Sequence, residues 1–340
     1  MKILVTGVTG RIGANIAKHF LQQGHEVSGF VWPGDRQSHK LTKIGAKIIE
    51  GDLASHADVI TAAKGQEIIL HLGAAFQAGG PFTPEQYFDT NIKGTFNVLE
   101  AAVSQRETLK HLIVSSTDAT MFKYPENGIE ESIRIDTLPL DTTDWYGYSK
   151  VITEHLVDRY VRHARIPATV FRYAFVWGAG EVLTFPQFQL KTFIDQFENR
   201  TETDAAETLT AMRSEYCGEP HLIIACDRNG RPWKKHGLEV REIVHAYDRA
   251  SNNPNTFGNV YQLGSPLPFT WDAIVPSIAA KIGAPYSRFN LPITPTYYEH
   301  DISPACKDFQ YDPKITFESM IDDAIRFTRY GESAIIPNTL

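Results

Sequence analysis

The sequence predicts an α/β fold, with a doubly wound parallel sheet in the first part of the chain and a smaller α/β domain after it. Two observations carry this prediction. Short apolar runs alternate with segments of helical periodicity. The apolar runs also lack the strict alternation of a sheet that has one face in water. Strands that are each followed by a helix and are buried on both faces are typical of a parallel sheet covered by helices on two sides.

The elements of the first part can be assigned in order. The run Lys2–Thr6 reads as a buried strand, and residues 11–23 follow as a helix with Ile12, Ile16 and Phe20 on one face. Further strands are predicted at residues 26–31, 46–50, 67–72, 110–115 and 168–172. Helices are predicted between them at residues 54–64, 84–105 and 145–164.

The regular alternation of predicted strands and helices ends after Arg172. The segment at residues 185–212 is longer and more polar than the earlier segments. Its acidic run at 198–207 is typical of a solvated helix or loop. Strands are predicted at residues 221–225 and 258–263, and helices at residues 239–250, 271–282 and 316–330. We therefore expect residues 1–175 to form the sheet domain. Residues 176–340 form mainly a second domain, with pieces near 239–264 returning to the sheet.

Composition limits the function classes. A chain of 340 residues is long enough for two domains of about 150 residues. Apolar residues make up 42% and charged residues 21%, and 33 Lys and Arg against 40 Asp and Glu give a net charge of −7. This charge disfavours nucleic acid and anionic membrane as partners. No apolar run approaches the roughly 18 residues of a membrane span.

Cellular location and metal content also have sequence signals. The apolar run at the N-terminus is too short for a signal peptide, and the three cysteines are widely spaced. We expect a cytoplasmic protein whose thiols are reduced. The histidines lack the spacing of a metal-binding motif, so no metal site is expected.

A glycine-rich turn joins the first strand to the first helix. Gly7, Gly10 and Gly13 allow a tight turn, the approach of a pyrophosphate, and close packing of helix on strand. Arg11 and Ile12 lie between them, and the helix N-terminus offers amides and partial positive charge to phosphates. This strand–turn–helix context indicates a Rossmann fold that binds a dinucleotide, so residues 1–175 are the predicted dinucleotide-binding domain and 176–340 the predicted substrate domain.

The choice of dinucleotide is normally read at the end of the second strand. That position is Val31, so no acid is present there to bind a ribose 2′-hydroxyl. Arg11 and Arg36 could pair with a 2′-phosphate, although both could equally be solvated loop charges. The cofactor is therefore expected to be NAD(P), with a slight preference for NADP.

Two further turns are expected to contact the cofactor. Asp52 and Leu53 follow the third strand, where Asp52 could accept from the adenine amino group or supply negative charge to the next helix. Leu72 and Ala74 follow the fourth strand among small residues that allow the backbone to run beside the cofactor, with a plain tight loop as the alternative.

A tyrosine and a lysine open the helix at residues 145–164. Tyr146 and Lys150 are four residues apart and share a helix face. A phenol has a pKa of about 10, so lowering it by three units requires roughly 4 kcal/mol of differential interaction. A nearby ammonium favours the phenolate, which could take a proton from an alcohol. Ser115, Ser116 and Thr117 end the fifth strand, where a hydroxyl could hydrogen-bond the same substrate oxygen or merely cap the strand end.

The joint pattern resembles that of the extended short-chain dehydrogenases/reductases, the superfamily that includes the NAD-dependent epimerases and dehydratases. By that resemblance Thr117, beside Ser116, supplies the catalytic hydroxyl, Tyr146 is the acid/base, and Lys150 holds the cofactor ribose. Asn91 matches a position that supports a proton-relay water, or it only fixes its helix. The matching segments are T-G-V-T-G-R-I-G at 6–13, G-D-L at 51–53, H-L-G-A-A at 71–75, N-I-K-G-T-F-N-V-L-E-A-A at 91–102, V-S-S-T at 114–117, Y-G-Y-S-K at 146–150 and Y-D-P-K-I-T-F-E-S-M-I at 311–321.

The substrate side departs from the pattern of the sugar-nucleotide members. Phe175 stands where those members have an asparagine, and Lys235 stands where they have an arginine. Asp118 matches the first acid of dehydratases, but Ala119 replaces the second. We therefore expect a neutral or singly charged substrate in contact with Phe76, Asp118 and Phe175, because a diphosphate would lack donors there.

The sequence thus predicts an NAD(P)-dependent oxidoreductase that interconverts a secondary alcohol and a ketone on a small molecule, carbohydrate-derived or partly apolar. The alternative is a nucleotide-sugar epimerase with tightly bound NAD, and a non-catalytic cofactor sensor is a third class. The helices at residues 84–105 and 145–164 resemble two helices that pack across the dimer axis in relatives. A homodimer is therefore expected.

Overall fold

A computed structural model describes residues 1–76 and 80–339. Its strands are β1 Lys2–Thr6, β2 Glu26–Val31, β3 Lys47–Glu50, β4 Ile68–His71, β5 His111–Thr117, β6 Ala168–Tyr173, β7 Phe175–Trp177, β8 Leu222–Cys226, β9 Lys234–Lys235, β10 Gly237–Glu239, β11 Val260–Leu263, β12 Phe269–Thr270 and β13 Tyr286–Asn290. Its α-helices are α1 Arg11–Gln22, α2 His39–Ile44, α3 His56–Ala63, α4 Pro84–Tyr87, α5 Gly94–Ser104, α6 Trp145–Ala164, α7 Leu190–Phe197, α8 Thr203–Glu215, α9 Val240–Ala250, α10 Trp271–Ile282, α11 Ser303–Phe309 and α12 Phe317–Tyr330.

Within the described residues, seven strands form one parallel sheet in the order β11-β6-β5-β4-β1-β2-β3. The chain builds outward from β1 through β2 to β3, and then continues on the other side of β1 with β4. This reversal creates a crevice at the carboxyl ends of β1 and β4, where ligands bind in open α/β sheets. The predicted doubly wound Rossmann fold is confirmed.

Apolar side chains cover both faces of this sheet. On one face α1, α9 and α11 pack with buried residues such as Ile16, Phe20 and Tyr247. On the other face α3, α5 and α6 pack with Val59, Leu99 and other apolar residues. Burial on both faces explains why the strands read as continuous apolar runs rather than alternating ones.

Residues after β6 build a second core and also return to the sheet. The second core contains Trp177, Trp271 and many residues of α7, α10 and α12. Its strand pairs are short: β7 with β10, β9 with β12, and β8 with β13. Of these later residues, β11 joins the sheet beside β6, and α9 and α11 pack on one of its faces.

The structure corrects the predicted helix at residues 84–105. This segment is α4, then a π-helix over Phe88–Lys93, then α5. A π-helix holds one more residue per turn than an α-helix, and the periodicity of apolar residues does not reveal it. The sequence analysis also missed α2, α11 and the short strands β7, β9, β10, β12 and β13, because such short elements carry little periodic signal.

Among the described residues, no helix is both long enough and apolar enough to cross a membrane.

Candidate active site

The glycine turn is shaped by backbone contacts that leave no room for side chains. Gly7 has a φ of +65°, and a Cβ there would lie 2.7 Å from the Gly73 nitrogen. A Cβ on Gly13 would lie 2.4 Å from the Gly7 oxygen, whereas one on Gly10 would lie 3.3 Å from the same atom. The first turn of α1 contains no acid, and no side chain caps it. Its amides are therefore open to a phosphate, which fits a dinucleotide.

Thr6 joins the glycine turn to the loop after β4. Its Oγ1 accepts hydrogen bonds from the Leu72 nitrogen at 3.1 Å and the Gly73 nitrogen at 2.9 Å, and it lies 2.8 Å from His71 Nδ1. Because Oγ1 already accepts twice, it donates its own hydrogen to His71. Burial, helped by the charge of Lys150, lowers the pKa of His71 to about 3, so the ring stays neutral. This network holds Leu72 and Gly73 against the glycine turn, and contact of Leu72 and Ala74 with the cofactor stays a prediction.

Asn91 lies in the π-helix and is fully buried. Its Oδ1 accepts from the Ala75 nitrogen at 2.7 Å, while its Nδ2 donates to the Ala75 oxygen at 3.0 Å and to Ser149 Oγ at 2.8 Å. Ser149 Oγ in turn donates to the Tyr146 carbonyl at 2.7 Å. Asn91 therefore fixes the loop after β4 and the first turn of α6 relative to each other. Its role beside the cofactor stays a prediction.

The adenosine end differs in detail from the sequence analysis. Asp52 Oδ1 accepts from the Ala54 nitrogen at 2.8 Å, so this carboxylate caps a turn. Leu53 is buried against Gly73. Arg36 is exposed.

Two charged residues near the glycine turn were missed by the sequence analysis. Asp35 Oδ2 accepts from Thr9 Oγ1 at 2.6 Å, which puts a carboxylate against the glycine turn. Lys40 is buried, and its Nζ donates to the Thr9 oxygen at 3.0 Å and to the Asn338 oxygen. Burial lowers the pKa of Lys40, with Asp35 opposing. A signal for Asp35 was present, since it lies in the turn that follows β2.

Arg11 links the glycine turn to the second core. Its guanidinium forms an ion pair with Glu181 and donates to the Val176 oxygen at 3.3 Å. Glu181 also accepts from the Gly178 nitrogen at 2.8 Å. Arg11 is thus engaged by the segment that follows β7, and a phosphate contact by this side chain stays a prediction.

The structure brings Thr117 and Tyr146 together. Tyr146 is 8% exposed at the start of α6, and Asp144 caps that helix through the Gly147 nitrogen at 2.8 Å. Burial and the carboxylate of Asp118 raise the pKa of Tyr146, and its hydrogen bond with the Thr117 side chain opposes them. The protein alone therefore holds Tyr146 as the neutral phenol, and a lowering of its pKa by Lys150 together with an oxidised nicotinamide stays a prediction.

Lys150 lies one turn further along α6 and is buried. Its Nζ donates to the Ser115 oxygen at 3.0 Å. Burial lowers the pKa of Lys150 to about 8, with the nearby Glu154 opposing. Glu154 is itself held by Arg172 at 2.6 Å and by Ser116 at 2.5 Å. The lysine is therefore positioned from β5, next to the tyrosine.

Asp118 anchors a buried polar cluster beside Thr117. Its carboxylate lies 3.2 Å from Lys123 Nζ and 3.1 Å from His300 Nε2, and Tyr298 donates to it at 3.5 Å. Burial raises the pKa of Asp118, but the charge of Lys123 and the hydrogen bond from His300 outweigh it and hold the pKa below its usual value. Asp118 is therefore an anion engaged by protein groups.

Lys235 lies on the substrate side in a largely aromatic environment. Its Nζ is 4.4 Å from the ring centre of Phe175 and 5.0 Å from that of Phe185, and it donates to Gln187 Oε1 at 3.3 Å. Burial lowers the pKa of Lys235 to about 7, with Asp118 opposing and Lys123 assisting. Gly237 in β10 pairs with Phe175 in β7, which brings the ring to the lysine.

Phe76 also lies near the predicted acid/base. Its ring is 5.6 Å from the Tyr146 ring in an edge-to-face arrangement, and its side chain is 58% exposed. Tyr87 packs on the same tyrosine, with ring centres 6.4 Å apart. Phe76 and Phe175 both keep part of their surface exposed, and their contact with the substrate stays a prediction.

The sequence analysis missed the residues that surround Asp118. Lys123, Tyr298 and His300 come from segments up to 182 positions apart. Lys123 lies shortly after β5, and that position is the only, weak indication in the sequence that it belongs near the site. Nothing in the local sequence marks Tyr298 or His300.

Comparison with known proteins identifies the family. The sequence profile of the NAD dependent epimerase/dehydratase family matches residues 3–264. The chain belongs to this family. The resemblance to extended short-chain dehydrogenases/reductases, inferred from the motifs, is thereby confirmed, and the chain is an NAD-dependent oxidoreductase or epimerase in the broad sense.

Similar proteins of this family differ in reaction. A 2-alkyl-3-oxoalkanoate reductase of Stenotrophomonas maltophilia is 26% identical, with 94% of this chain and 96% of the relative covered. A UDP-glucose 4-epimerase of Streptomyces lividans is 27% identical, with 74% of this chain and 82% of the relative covered. The family alone does not choose between these reactions.

Solved structures support the fold and the cofactor class. A short-chain dehydrogenase/reductase superfamily protein from Agrobacterium tumefaciens with bound NAD has a TM-score of 0.81 at 28% identity, with 97% of each chain covered. A UDP-glucuronic acid 4-epimerase from Bacillus cereus in complex with UDP-glucuronic acid and NAD has a TM-score of 0.72 at 21% identity, with 98% of this chain and 100% of the other covered. At that identity the second likeness concerns the fold alone.

Proposed function

We propose that the protein is a dehydrogenase/reductase that interconverts a secondary alcohol and a ketone on a small molecule. The observation that carries this proposal is the hydrogen-bonded pair of Thr117 and Tyr146 at the carboxyl edge of the sheet. It lies beside a glycine turn that leaves phosphate-binding amides open. The similarity to a reductase over nearly the whole of both chains supports the same assignment.

The residues of the site divide the work. A bound nicotinamide supplies or accepts the hydride. Thr117 orients the substrate oxygen by a hydrogen bond, and Tyr146 transfers the proton to or from that oxygen. Lys150, held by the Ser115 carbonyl, is positioned to bind the cofactor ribose. The raised pKa of Tyr146 favours the phenol, so the tyrosine is suited to donate a proton to a ketone.

We propose NAD rather than NADP as the cofactor. The slight preference for NADP rested on Arg11 and Arg36, but Arg11 is paired with Glu181 and Arg36 is exposed. The Asp35 carboxylate lies against the glycine turn, where it would repel a 2′-phosphate and suit a ribose hydroxyl.

The test is spectrophotometric. Purified protein is incubated with NAD or NADH and a panel of sugars, aldonates, lactones, oxo acids and aryl ketones, and NADH is followed. Net formation or loss of NADH supports the proposal. Interconversion of epimers without net NADH change overturns it in favour of the epimerase, as does binding of UDP, GDP or dTDP to the NAD complex more tightly than about 10 μM, roughly −7 kcal/mol.

A homodimer through the outer faces of α5 and α6 is the assembly we propose. Four aromatic side chains on α6, α5 and the π-helix before it are exposed: Phe88, Phe96, Trp145 and Tyr148. Exposed apolar groups clustered on one surface mark association sites. Analytical ultracentrifugation at micromolar concentration should give a dimer mass, and a monomer mass contradicts the proposal.

A further inference from the structure

The Lys235 ammonium makes fewer hydrogen bonds than a buried charge requires. Lys235 is 5% exposed, and an ammonium carries three N–H donors. Among the described residues the acceptor it reaches is Gln187 Oε1, a neutral group at 3.3 Å. Taking a cation out of water costs several kcal/mol unless a counter-charge and further hydrogen bonds compensate. The two rings beside it offset only part of that cost.

The charges near Lys235 leave an excess of positive charge. The groups that act on it electrostatically are Asp118 and Lys123. Asp118 is already bonded to Lys123 and His300, so its carboxylate is shared among several partners. When Lys235 is protonated, two lysines and one carboxylate sum to one positive charge. A single negative charge from a ligand would neutralise this cluster.

We propose that Lys235 binds a carboxylate of the substrate, so that the enzyme acts on hydroxy acids and oxo acids. This inference rests on the proposed dehydrogenase/reductase function and names its substrate class. Asp118 connects the two parts of the site, because it follows Thr117 directly and acts electrostatically on both Tyr146 and Lys235. The proposal requires one acid molecule to present its carboxylate to Lys235 and its carbinol oxygen to Thr117 and Tyr146.

The surroundings of Lys235 favour a carboxylate over a diphosphate. A lysine is a point charge, whereas diphosphates are typically held by several donors or by the planar fork of arginine. Phe175 and Phe185 occupy the space around the ammonium and donate no hydrogen bonds. Phe175 is 37% exposed, so one of the two rings beside the ammonium reaches the surface.

The experiment compares matched acids and neutral analogues on the holoenzyme. Aldonates and 3-hydroxyalkanoates are assayed against their own primary amides with NAD, for the wild type, Lys235→Met and Lys235→Arg. A charge-assisted hydrogen bond predicts that the wild type prefers the acid in kcat/KM by roughly tenfold to hundredfold. Lys235→Met should lose this preference, so that the acid and its amide have similar kcat/KM, and Lys235→Arg should keep part of it.

The neighbouring lysine supplies the matched control. Lys234 is paired with Glu299 at 3.0 Å and lies 4.5 Å from the ring centre of Tyr297, so its charge is already compensated. Lys234→Met should leave the acid preference unchanged. Thermal unfolding of each variant checks folding, and Lys235→Met should be no less stable than the wild type because it removes a poorly compensated buried charge.

The outcomes separate this inference from the proposed function. Turnover of the amides equal to that of the acids, or an acid preference that survives in Lys235→Met, overturns the carboxylate proposal and leaves the redox function standing. If the enzyme turns over none of these acids, their binding to the NADH complex is measured by titration instead. Binding lost in Lys235→Met then supports the carboxylate site while the redox function fails, and absence of binding overturns the site.

Discussion

The two ends of the candidate site each hold a buried lysine, and the two lysines are held differently. Lys150 donates to a backbone carbonyl of β5 and lies near Glu154, which opposes the lowering of its pKa by burial to about 8. Lys235 contacts two aromatic rings and one amide oxygen, and burial lowers its pKa to about 7. The first lysine is anchored by the fold, whereas the second retains donors for a ligand.

The difference teaches which part of the site is fixed by the family fold. Lys150 and Tyr146 are four residues apart on one helix, so their spacing is local and follows from α6 alone. Lys235 meets Phe175, Phe185 and Gln187 only through the packing of β7, β9 and the segment before α7. The proposed redox chemistry thus depends on the local geometry of α6 and the sheet, and the proposed substrate choice depends on the packing of the second core.

The largest effect is expected at the end of the site that holds Lys150 and Tyr146. Tyr146→Phe keeps the buried ring but removes the hydroxyl that transfers the proton. Turnover should fall by about a hundredfold or more, while NADH affinity changes little. Steady-state kinetics and fluorescence titration of NADH measure the two quantities.

Tyr148→Phe is the control for that substitution, because Tyr148 lies on the same helix with its side chain exposed. Its turnover should match the wild type. Near wild-type turnover in Tyr146→Phe would instead remove this hydroxyl from the mechanism.

The next largest effect is expected at the glycine turn, where the cofactor is proposed to bind. Gly13→Ala places a Cβ 2.4 Å from the Gly7 oxygen, so the turn must shift. Strain of about 1–3 kcal/mol should weaken NADH binding roughly tenfold to hundredfold. Gly10→Ala, whose Cβ would lie 3.3 Å from the same oxygen, should have a much smaller effect. Equal losses in the two variants would show that the clash at Gly13 does not shape the cofactor site.

The pH dependence of acid binding sharpens the contrast between the lysines. The pKa of Lys235 is lowered to about 7, so it is charged below pH 7 and increasingly neutral above it. Affinity for a carboxylate should be constant at low pH and fall by up to about tenfold per pH unit above pH 7. Isothermal titration between pH 6 and 9 measures this. In Lys235→Arg the guanidinium stays charged, so affinity should not fall over that range, and a fall like that of the wild type would assign the titration to another group.

The smallest effect is expected at the adenosine end. Asp35→Asn keeps the hydrogen-bond acceptor for Thr9 but removes the negative charge beside the glycine turn. The KM for NADPH should fall a few-fold relative to that for NADH, because a repulsive charge has been removed. Arg36→Ala should change both KM values little, since Arg36 is exposed. A selective loss of NADPH use in Arg36→Ala would restore the preference for NADP.

The sequence predicted the parts of the site that depend on local spacing. The strand–turn–helix at Gly7–Gly13 and the pair of Tyr146 and Lys150 each lie within a few residues, so their geometry follows from one element. The rule that parallel strands end at one edge of a sheet predicted hydroxyl groups at the end of β5, and the family resemblance singled out Thr117 among them.

Other features needed three-dimensional packing to appear. His300 reaches Asp118 across 182 positions, and no local pattern marks such a partner. The direction of the Tyr146 pKa shift depends on burial and on Asp118, neither of which can be read from residue spacing. The preference for NADP relied on the position of Val31, whereas the acid that meets the glycine turn, Asp35, comes four residues later.

The π-helix at Phe88–Lys93 makes the number of residues before α5 matter as much as their identity. Each residue of an α-helix turns the chain by about 100°. Deleting one residue here would close the wide turn into an ordinary one and rotate Tyr87 away from Tyr146, on which it packs. Asp89 and Lys93 are exposed, so substitutions there cost little, whereas Asn91 is fully buried. Homologous sequences that share this site should therefore keep Asn91, vary at the exposed positions, and tolerate no insertion or deletion within the segment.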